Sequence, residues 1–408
     1  MIPRFRPALG TAELAAALRP ARSDDVERFE AAFALAVGQR YAVAFPYGRT
    51  GQLVLLHALG ITGREVICPA YTCVVVPHAI VISGNTPIFI DSGPDANMNL
   101  ALAEHAIGPN TGALIATSIF GNPVDLDHLQ AIAQRHPELT VIQDCAHSFS
   151  ATWKDRRVNR AGRAAIFGFN ASKIMTSIFG GMVTTDDPEL AAALVAERSR
   201  MIAPATLLKS LRRTMYLLAL YAAFWPPLFG LTERLRKAGV LDRFTRYYDE
   251  SVIDMPADFL SGLTCVEARV GTAQADRLAA FIAARREYAR YYRSRLERER
   301  ALSWIAGADG SSYSHIAARV AQRDRVVEAA ASRGVQLGEV IEYSIPEMAA
   351  YRKWGDAHGL FPVAHALALQ TINLPISGCF EPQRAEKVVA VLHDVLAGQP
   401  AAPPLPSS

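Results

Sequence analysis

Short unbroken apolar runs alternate along the chain with segments whose apolar positions recur every three to four residues, and the two periods separate predicted strands from predicted helices. Glu65–Pro69, Thr86–Asp91, Ala113–Phe120, Thr140–Asp144, Ala164–Phe169 and Gly181–Thr185 read as buried strands. Between them, Gln52–Leu59, Val74–Ser83 and Leu126–His136 carry helical spacing. This alternation, spread from Tyr41 to Asp187, predicts a mostly parallel sheet covered by helices. Ligands of such sheets gather at the carboxyl ends of strands, so a site is to be sought among the polar residues there.

Upstream, a helix is predicted behind Ser23, whose hydroxyl can cap it, with Asp24 and Asp25 in the first turn and an end near Val37. Beyond Glu189 the pattern is mainly helical, and Leu263–Tyr292 forms a long charged amphipathic stretch suited to bridging two domains. Strand-like residues Ser311–Val320 and helices at Val326–Arg333 and Gln383–Ala397 suggest a smaller α+β unit. The chain thus divides into an N-terminal arm and helix (1–40), a large domain (41–260), a linking helix with a small C-terminal domain (261–398), and a proline-rich tail (399–408) expected to be extended or mobile. No internal repeat is visible.

One stretch departs from the alternation. Met215–Leu231 carries no charge, sits at the short edge of a membrane span and is interrupted by Pro226 and Pro227, within an apolar insert near residues 205–240. Lys209, Arg212 and Arg213 precede it; Glu233, Arg234, Arg236 and Lys237 follow. The expected reading is burial against the main domain or a dimer partner, and the alternative is a segment in peripheral contact with a membrane.

Composition narrows the class. At 408 residues, half of them hydrophobic, the chain has room for a large core. A formal charge of +3 gives no reason to expect a nucleic-acid surface. Cys68, Cys73, Cys145, Cys265 and Cys379 are scattered without a Cys-x-x-Cys pair, which argues against a disulfide framework and a structural metal site. Met1–Gly10 lacks the apolar core of a signal peptide, so a reducing cytoplasm is the expected setting.

The strongest chemical clue is Asp144, an acid ending the run VIQD and followed by Cys145, Ala146 and His147. Lys173 follows a later run, within FGFNASKIM, beside apolar Ile174 and Met175. A desolvated lysine loses basicity and becomes a usable nucleophile toward an aldehyde. Taken alone, the pair is equally read as a surface lysine and a helix-capping acid.

Resemblance adds to this. ALGITGREVICPAYTCVV, TPIFIDSGPD, VIQDCAHSFSATWKDRRV, AAIFGFNASKIMTSIFGGMVTTDDPEL, FLSGLTCVEARVGTAQADRL and FPVAHALALQTINLPI resemble, in order, segments of the DegT/DnrJ/StrS-type sugar aminotransferases. That resemblance implies a fold-type-I pyridoxal-phosphate (PLP) transferase, an α/β fold with a mostly parallel seven-stranded sheet sandwiched by helices. It further implies that Lys173 carries the cofactor as a Schiff base and shuttles the proton, that Asp144 pairs with the pyridine nitrogen, and that His147 contacts the ring near its phenolic oxygen. Thr50 and Gly51 match the segment that holds the cofactor phosphate at a helix N-terminus. Arg49 stands where glycine is common and is expected to add a charge-assisted contact to the cofactor phosphate or a substrate phosphate. Gly168 replaces the phosphate-binding serine, leaving Asn170 or Ser172 to supply a hydroxyl or amide, and Cys73 falls where an aromatic usually stacks, with Tyr71 a possible substitute.

The activity implied is a ping-pong transamination from an amino acid, L-glutamate by resemblance, to a keto-sugar carried on a nucleotide, for polysaccharide or glycosylated-metabolite assembly. A homodimer is implied, because family sites form at subunit boundaries, but the segment after Met201 lacks the familiar partner-contact motif. Sugar dehydratases of the same fold typically carry histidine in place of the lysine, so Lys173 counts against that chemistry. A cyclitol aminotransferase or a non-catalytic, membrane-associated sensor on this fold are the alternatives.

Overall fold

The computed structural model describes residues 1–225, 229–230, 249–305, 307–354 and 361–406. Pro226, Pro227, Leu231 and the charged residues from Glu233 to Lys237 lie outside the described residues, as do the last two residues of the tail.

A seven-stranded sheet organises the larger part: β1 (Tyr41–Phe45), β2 (Glu65–Pro69), β3 (Thr86–Ile90), β4 (Thr111–Thr117), β5 (Thr140–Asp144), β8 (Ala164–Gly168) and β9 (Gly181–Thr185), in the order β1-β9-β8-β5-β4-β2-β3. The ladders β3–β2–β4–β5–β8 are parallel, and β9 runs antiparallel between β8 and β1. Between β5 and β8 lies a small hairpin, β6 (Thr152–Trp153) and β7 (Arg156–Arg157). Parallel neighbours need crossovers, and most are helical: α3 (Gly48–Ala58), α4 (Val75–Ile82), α5 (Leu100–His105) and α6 (Leu126–Arg135). Asn99 and Asp125 cap the last two, each side chain accepting two backbone N–H groups.

Two helices precede the sheet, α1 (Thr11–Leu18) and α2 (Asp25–Val37). The first was not expected. The second starts at Asp25 with Asp24 at its N-cap rather than behind Ser23, because the Asp25 carboxylate already accepts the Arg22 N–H (3.0 Å) and pairs with Arg269 (3.1 Å). After β9 come α7 (Pro188–Met201) and α8 (Leu207–Ala223). The long amphipathic stretch is two helices, α9 (Cys265–Ala275), opened by a Thr264/Glu267 capping box, and α10 (Leu278–Leu296).

A second core surrounds a three-stranded antiparallel sheet of β10 (Ser303–Trp304), β11 (Ile316–Arg319) and β12 (Thr371–Leu374), packed by α10, α11 (Arg323–Ser332) and α13 (Pro382–Leu396), with α12 (Pro362–Gln370) leading into β12. Only Ile316–Arg319 of the expected strand Ser311–Val320 is a strand; Ser311–Ser314 form a loop pinned by Arg285 and Arg286. The N-terminal arm joins this second core: Ile2 donates its N–H to Gly334 and accepts from Gln336, and Phe5 bridges to Ile376. The tail contacts it too, with Arg319 donating to the Pro403 carbonyl (2.8 Å).

Candidate active site

The parallel strands deliver their carboxyl ends to one edge of the sheet, and the expected chemistry lies there. Asp144 closes β5 and is buried. Its carboxylate accepts the Thr117 hydroxyl from the end of neighbouring β4 (3.2 Å) and the Ala146 N–H (3.0 Å). Burial raises its pKa, opposed by the Ala146 hydrogen bond and by the charge of Lys173.

Lys173 stands in the tight loop that joins β8 to β9. That loop is stitched by Phe169 N–H to Gly180 (2.9 Å), Ser177 N–H to Phe169 (3.1 Å) and Lys173 N–H to Asn170 (3.0 Å), while Ile174 and Met175 sink into the phenylalanine-rich core and Ile178 packs with Ala17, Leu217, Val266 and Val270. Ile178 adopts φ +76°, a costly conformation for a β-branched residue, and Thr176 anchors it by accepting its N–H (3.0 Å). The lysine chain passes Gly168, where an added Cβ would lie 3.8 Å from Lys173 Cε, an ordinary van der Waals contact. Surrounding protein lowers the amine's pKa, with Cys73 and Asp144 opposing.

His147, three residues past Asp144, is buried with its ring stacked on Phe120 (6.4 Å between centroids, 16°) and its Nδ1 accepting the Phe120 N–H (3.4 Å). Burial, then the charges of Lys173 and His315, holds its pKa well below the usual histidine range. His315 is the residue that the sequence did not announce. It stands before β11 on the small sheet, 5.1 Å ring to ring from His147, and is held neutral by burial and by Arg285 and Lys173. Arg285 on α10 positions its loop by donating to the Ser314 carbonyl (2.8 Å). No local pattern marks His315, since the fold alone brings the small sheet to the large one. Thr117 had a weak signal as the last polar residue of a strand.

Lys173, Asp144, His147 and Cys73 therefore converge. The start of α3 lies alongside: an ideal Cβ on Gly48 would sit 3.1 Å from the Phe167 carbonyl and 3.3 Å from Gly168 Cα. Its first-turn N–H groups are those a helix leaves unpartnered. Thr50 is buried and its hydroxyl donates to the Phe259 carbonyl (3.3 Å); Gly51 packs against Phe45 and Val183. Arg49 donates to the Asp254 carbonyl (3.3 Å), next to His78, whose pKa is lowered by burial to about 4. Ser172 donates to Asn170 (2.6 Å), so these two bond each other. Tyr71 is fully buried, its hydroxyl on the Ile341 carbonyl (3.2 Å) and its ring edge toward Phe120.

The arrangement fits a PLP-type group by its charge balance. Asp144 is a buried carboxylate whose hydrogen bonds come from a hydroxyl and an amide, with no cation within 4 Å among the described residues, and it can still accept a charged N–H donor. No cluster of metal-ligating side chains occurs among the described residues.

Residues 13–393 match the DegT/DnrJ/EryC1/StrS aminotransferase family. Among curated proteins, the GDP-perosamine synthase of Caulobacter vibrioides is 30% identical over 275 residues, an alignment that takes in 67% of this chain and 62% of that one. Helicobacter pylori PseC, an aminotransferase of pseudoaminic acid biosynthesis, superposes with a TM-score of 0.77 at 18% identity, covering 97% of this chain and 99% of the other. An E. coli GDP-4-keto-6-deoxy-D-mannose-3-dehydratase with bound hydrated PLP gives 0.75 at 18% identity, covering 96% and 99%. At such identities the likeness of structures shows the fold.

Proposed function

The chain belongs to the DegT/DnrJ/EryC1/StrS aminotransferase family, and on that premise we propose that it uses PLP to move an amino group from an amino acid, L-glutamate, to a keto-sugar carried on a nucleotide. The observation that carries this reading is the buried, cation-free carboxylate of Asp144 facing an amine of lowered basicity, Lys173. Bound there, the pyridine ring of PLP supplies an electron sink for carbanion chemistry. Lys173 would hold the aldehyde carbon, and its depressed pKa lets it take and return a proton at the substrate carbon in both half-reactions. Asp144, aligned by Thr117 and Ala146, would keep the ring nitrogen protonated. The N–H groups at the start of α3 would receive the phosphate. His147 and His315 are both neutral; with Nδ1 of His147 accepting the Phe120 N–H and Nδ1 of His315 paired with the Ser314 hydroxyl (3.1 Å), each would present its Nε2 to the bound group, as a donor in His147.

The two-histidine wall belongs to two different sheets, which supports a site closed by the small unit over the large one. Cys68, Cys73, Cys145, Cys265 and Cys379 are all free, in keeping with a reducing cytoplasm. A homodimer is part of the proposal, in line with family sites at subunit boundaries.

Borohydride reduction of the protein incubated with PLP, followed by peptide mapping, is expected to place a pyridoxyl group on Lys173. Glutamate with a panel of nucleotide keto-sugars is then expected to yield 2-oxoglutarate and an amino sugar. Labelling with no transfer to any nucleotide sugar, but transfer to a cyclitol ketone, would redirect the acceptor. Absence of labelling removes the enzymatic reading.

A further inference from the structure

Helix α8 is built inside out. A surface helix normally turns its apolar stripe to the core and its charges to water. Here the inward face carries the charge. Lys209 is buried and donates to the Ser261 and Gly262 carbonyls (2.6 and 3.1 Å). Arg213 donates to the Tyr47 hydroxyl and the Asp258 carboxylate (both 2.7 Å), lies over the Phe179 ring and stands 3.0 Å from the fully buried Glu267. The outward face is apolar: Leu207 is 90% exposed, Leu211 and Met215 each 58%, and Leu208, Leu218 and Trp225 continue the stripe. Among its large apolar residues Leu217 alone is fully buried, against Ala17, Ile178, Val266 and Val270, with Tyr216 and Tyr221 partly buried beside it. Burial against the main domain thus accounts for one side of α8, and the other side is exposed in the single chain.

Charge identifies what suits this face. No acidic residue occurs from Leu207 to Thr232, and Arg212 is exposed within the stripe. The sequence beyond is also mainly basic, with Arg234, Arg236, Lys237, Arg243 and Arg246 against Glu233 and Asp242. Beside Leu208 opens a cleft of about 320 Å³ lined by Thr206, Lys209, Arg212, Arg213, Asp258 and Ser261. Within it Lys209 and Arg213 are engaged by Asp258, Glu267 and backbone carbonyls, so Arg212, beside the exposed leucines, is the cation that suits a phosphate headgroup next to acyl chains. A contact of α8 with its own copy would offer Arg212 no acidic residue from the same segment of the partner, since none occurs from Leu207 to Thr232. Among the described residues no helix is long and apolar enough to cross a membrane.

We propose that α8 seats this protein on an anionic lipid surface, lying in the interface with Leu207, Leu211, Met215 and Leu218 immersed and Arg212 among the headgroups. The inward ionic cluster fixes the helix to the body of the protein, so the surface is presented rigidly. Docking is independent of the acceptor sugar and of the transamination itself.

Flotation of the full chain with phosphatidylcholine vesicles, with and without phosphatidylglycerol, tests it. Wild type is expected to float with the anionic vesicles, less so in high salt. Leu211→Asp/Met215→Asp and, separately, Arg212→Glu are each expected to lower the partition coefficient about tenfold or more, given about 1 kcal/mol per basic residue at such a surface. Circular dichroism and sedimentation of each variant verify fold and oligomeric state. Absence of flotation, or flotation of both variants equal to wild type, overturns the proposal. So does a wild-type dimer that the double variant dissociates, which would make the stripe an interface between copies.

Discussion

Gly181→Ala isolates the packing that places the start of α3 at the proposed site. An ideal Cβ on Gly181 would lie 2.3 Å from Gly48 N, 2.4 Å from Tyr47 C and 2.5 Å from Gly48 Cα. These are backbone atoms, and no rotamer change relieves the overlap. Restoring van der Waals contact needs the helix start to move by about 1 Å away from β9, a strain of about 1–3 kcal/mol by the usual overpacking cost. The same shift draws the first-turn N–H groups from the phosphate position. Losing one hydrogen bond to a charged group costs about 1.5–3 kcal/mol, or roughly tenfold to a hundredfold in affinity. PLP titration of the apoprotein, followed by absorbance, is expected to show that weakening together with a lower urea midpoint. Gly108→Ala, with nothing within 4 Å of the added carbon, serves as the control. A variant whose urea midpoint falls but whose PLP affinity stays within twofold of the control would show that the α3 start does not hold the cofactor, and one whose midpoint also matches the control would refute the overlap.

Glu267 is fully buried, accepts the Thr264 N–H and hydroxyl (3.0 and 2.8 Å) and faces Arg213 at 3.0 Å. Glu267→Ala leaves Arg213 and Lys209 under-compensated and should cost about 3–5 kcal/mol in urea unfolding; a loss below about 1 kcal/mol would refute the view that this cluster fixes α8. His147 and His315 are held neutral in the folded state, and His78 has a pKa of about 4. Below their unfolded value near 6.5 the unfolded chain binds more protons, so stability is lost as pH falls through that value, about 2 kcal/mol for His78 at pH 5. Urea midpoints of the apoprotein from about pH 7 to 5 should fall less steeply in His147→Asn/His315→Gln, and an unchanged slope refutes the assignment.

How far the sequence reaches depends on the range of the contacts involved. Glu65–Pro69, Thr140–Asp144 and Gly181–Thr185 are strands with the bounds their apolar runs predict, because an interior strand, parallel in the first two and antiparallel in the third, is buried on both faces and needs no partner to be visible. Tyr41–Phe45 was missed as a strand. It lies at the sheet edge, paired only with β9, and its first two residues are half-buried. Leu263–Tyr292 reads as one helix by periodicity, yet Asp276 and Arg277 separate two. Asp144 and Lys173 were legible as strand-end chemistry, whereas His315 reaches them only through the docking of a second sheet. Met215 and Leu218, within the run expected to be buried against the main domain or a partner, lie on the outward side of α8, since hydropathy does not say which way a stripe points.

The arm before α1 behaves as a latch. Its backbone is bonded on the small sheet's side to Gly334, Gln336 and Ile376, and α1 and α2, which follow it, pack on α9 against the large sheet. Any hinge motion that opened the cleft between His147 and His315 would have to stretch or peel these first residues. Clipping the arm would therefore loosen the hold of the small sheet on the large one without touching Lys173, Asp144 or either histidine.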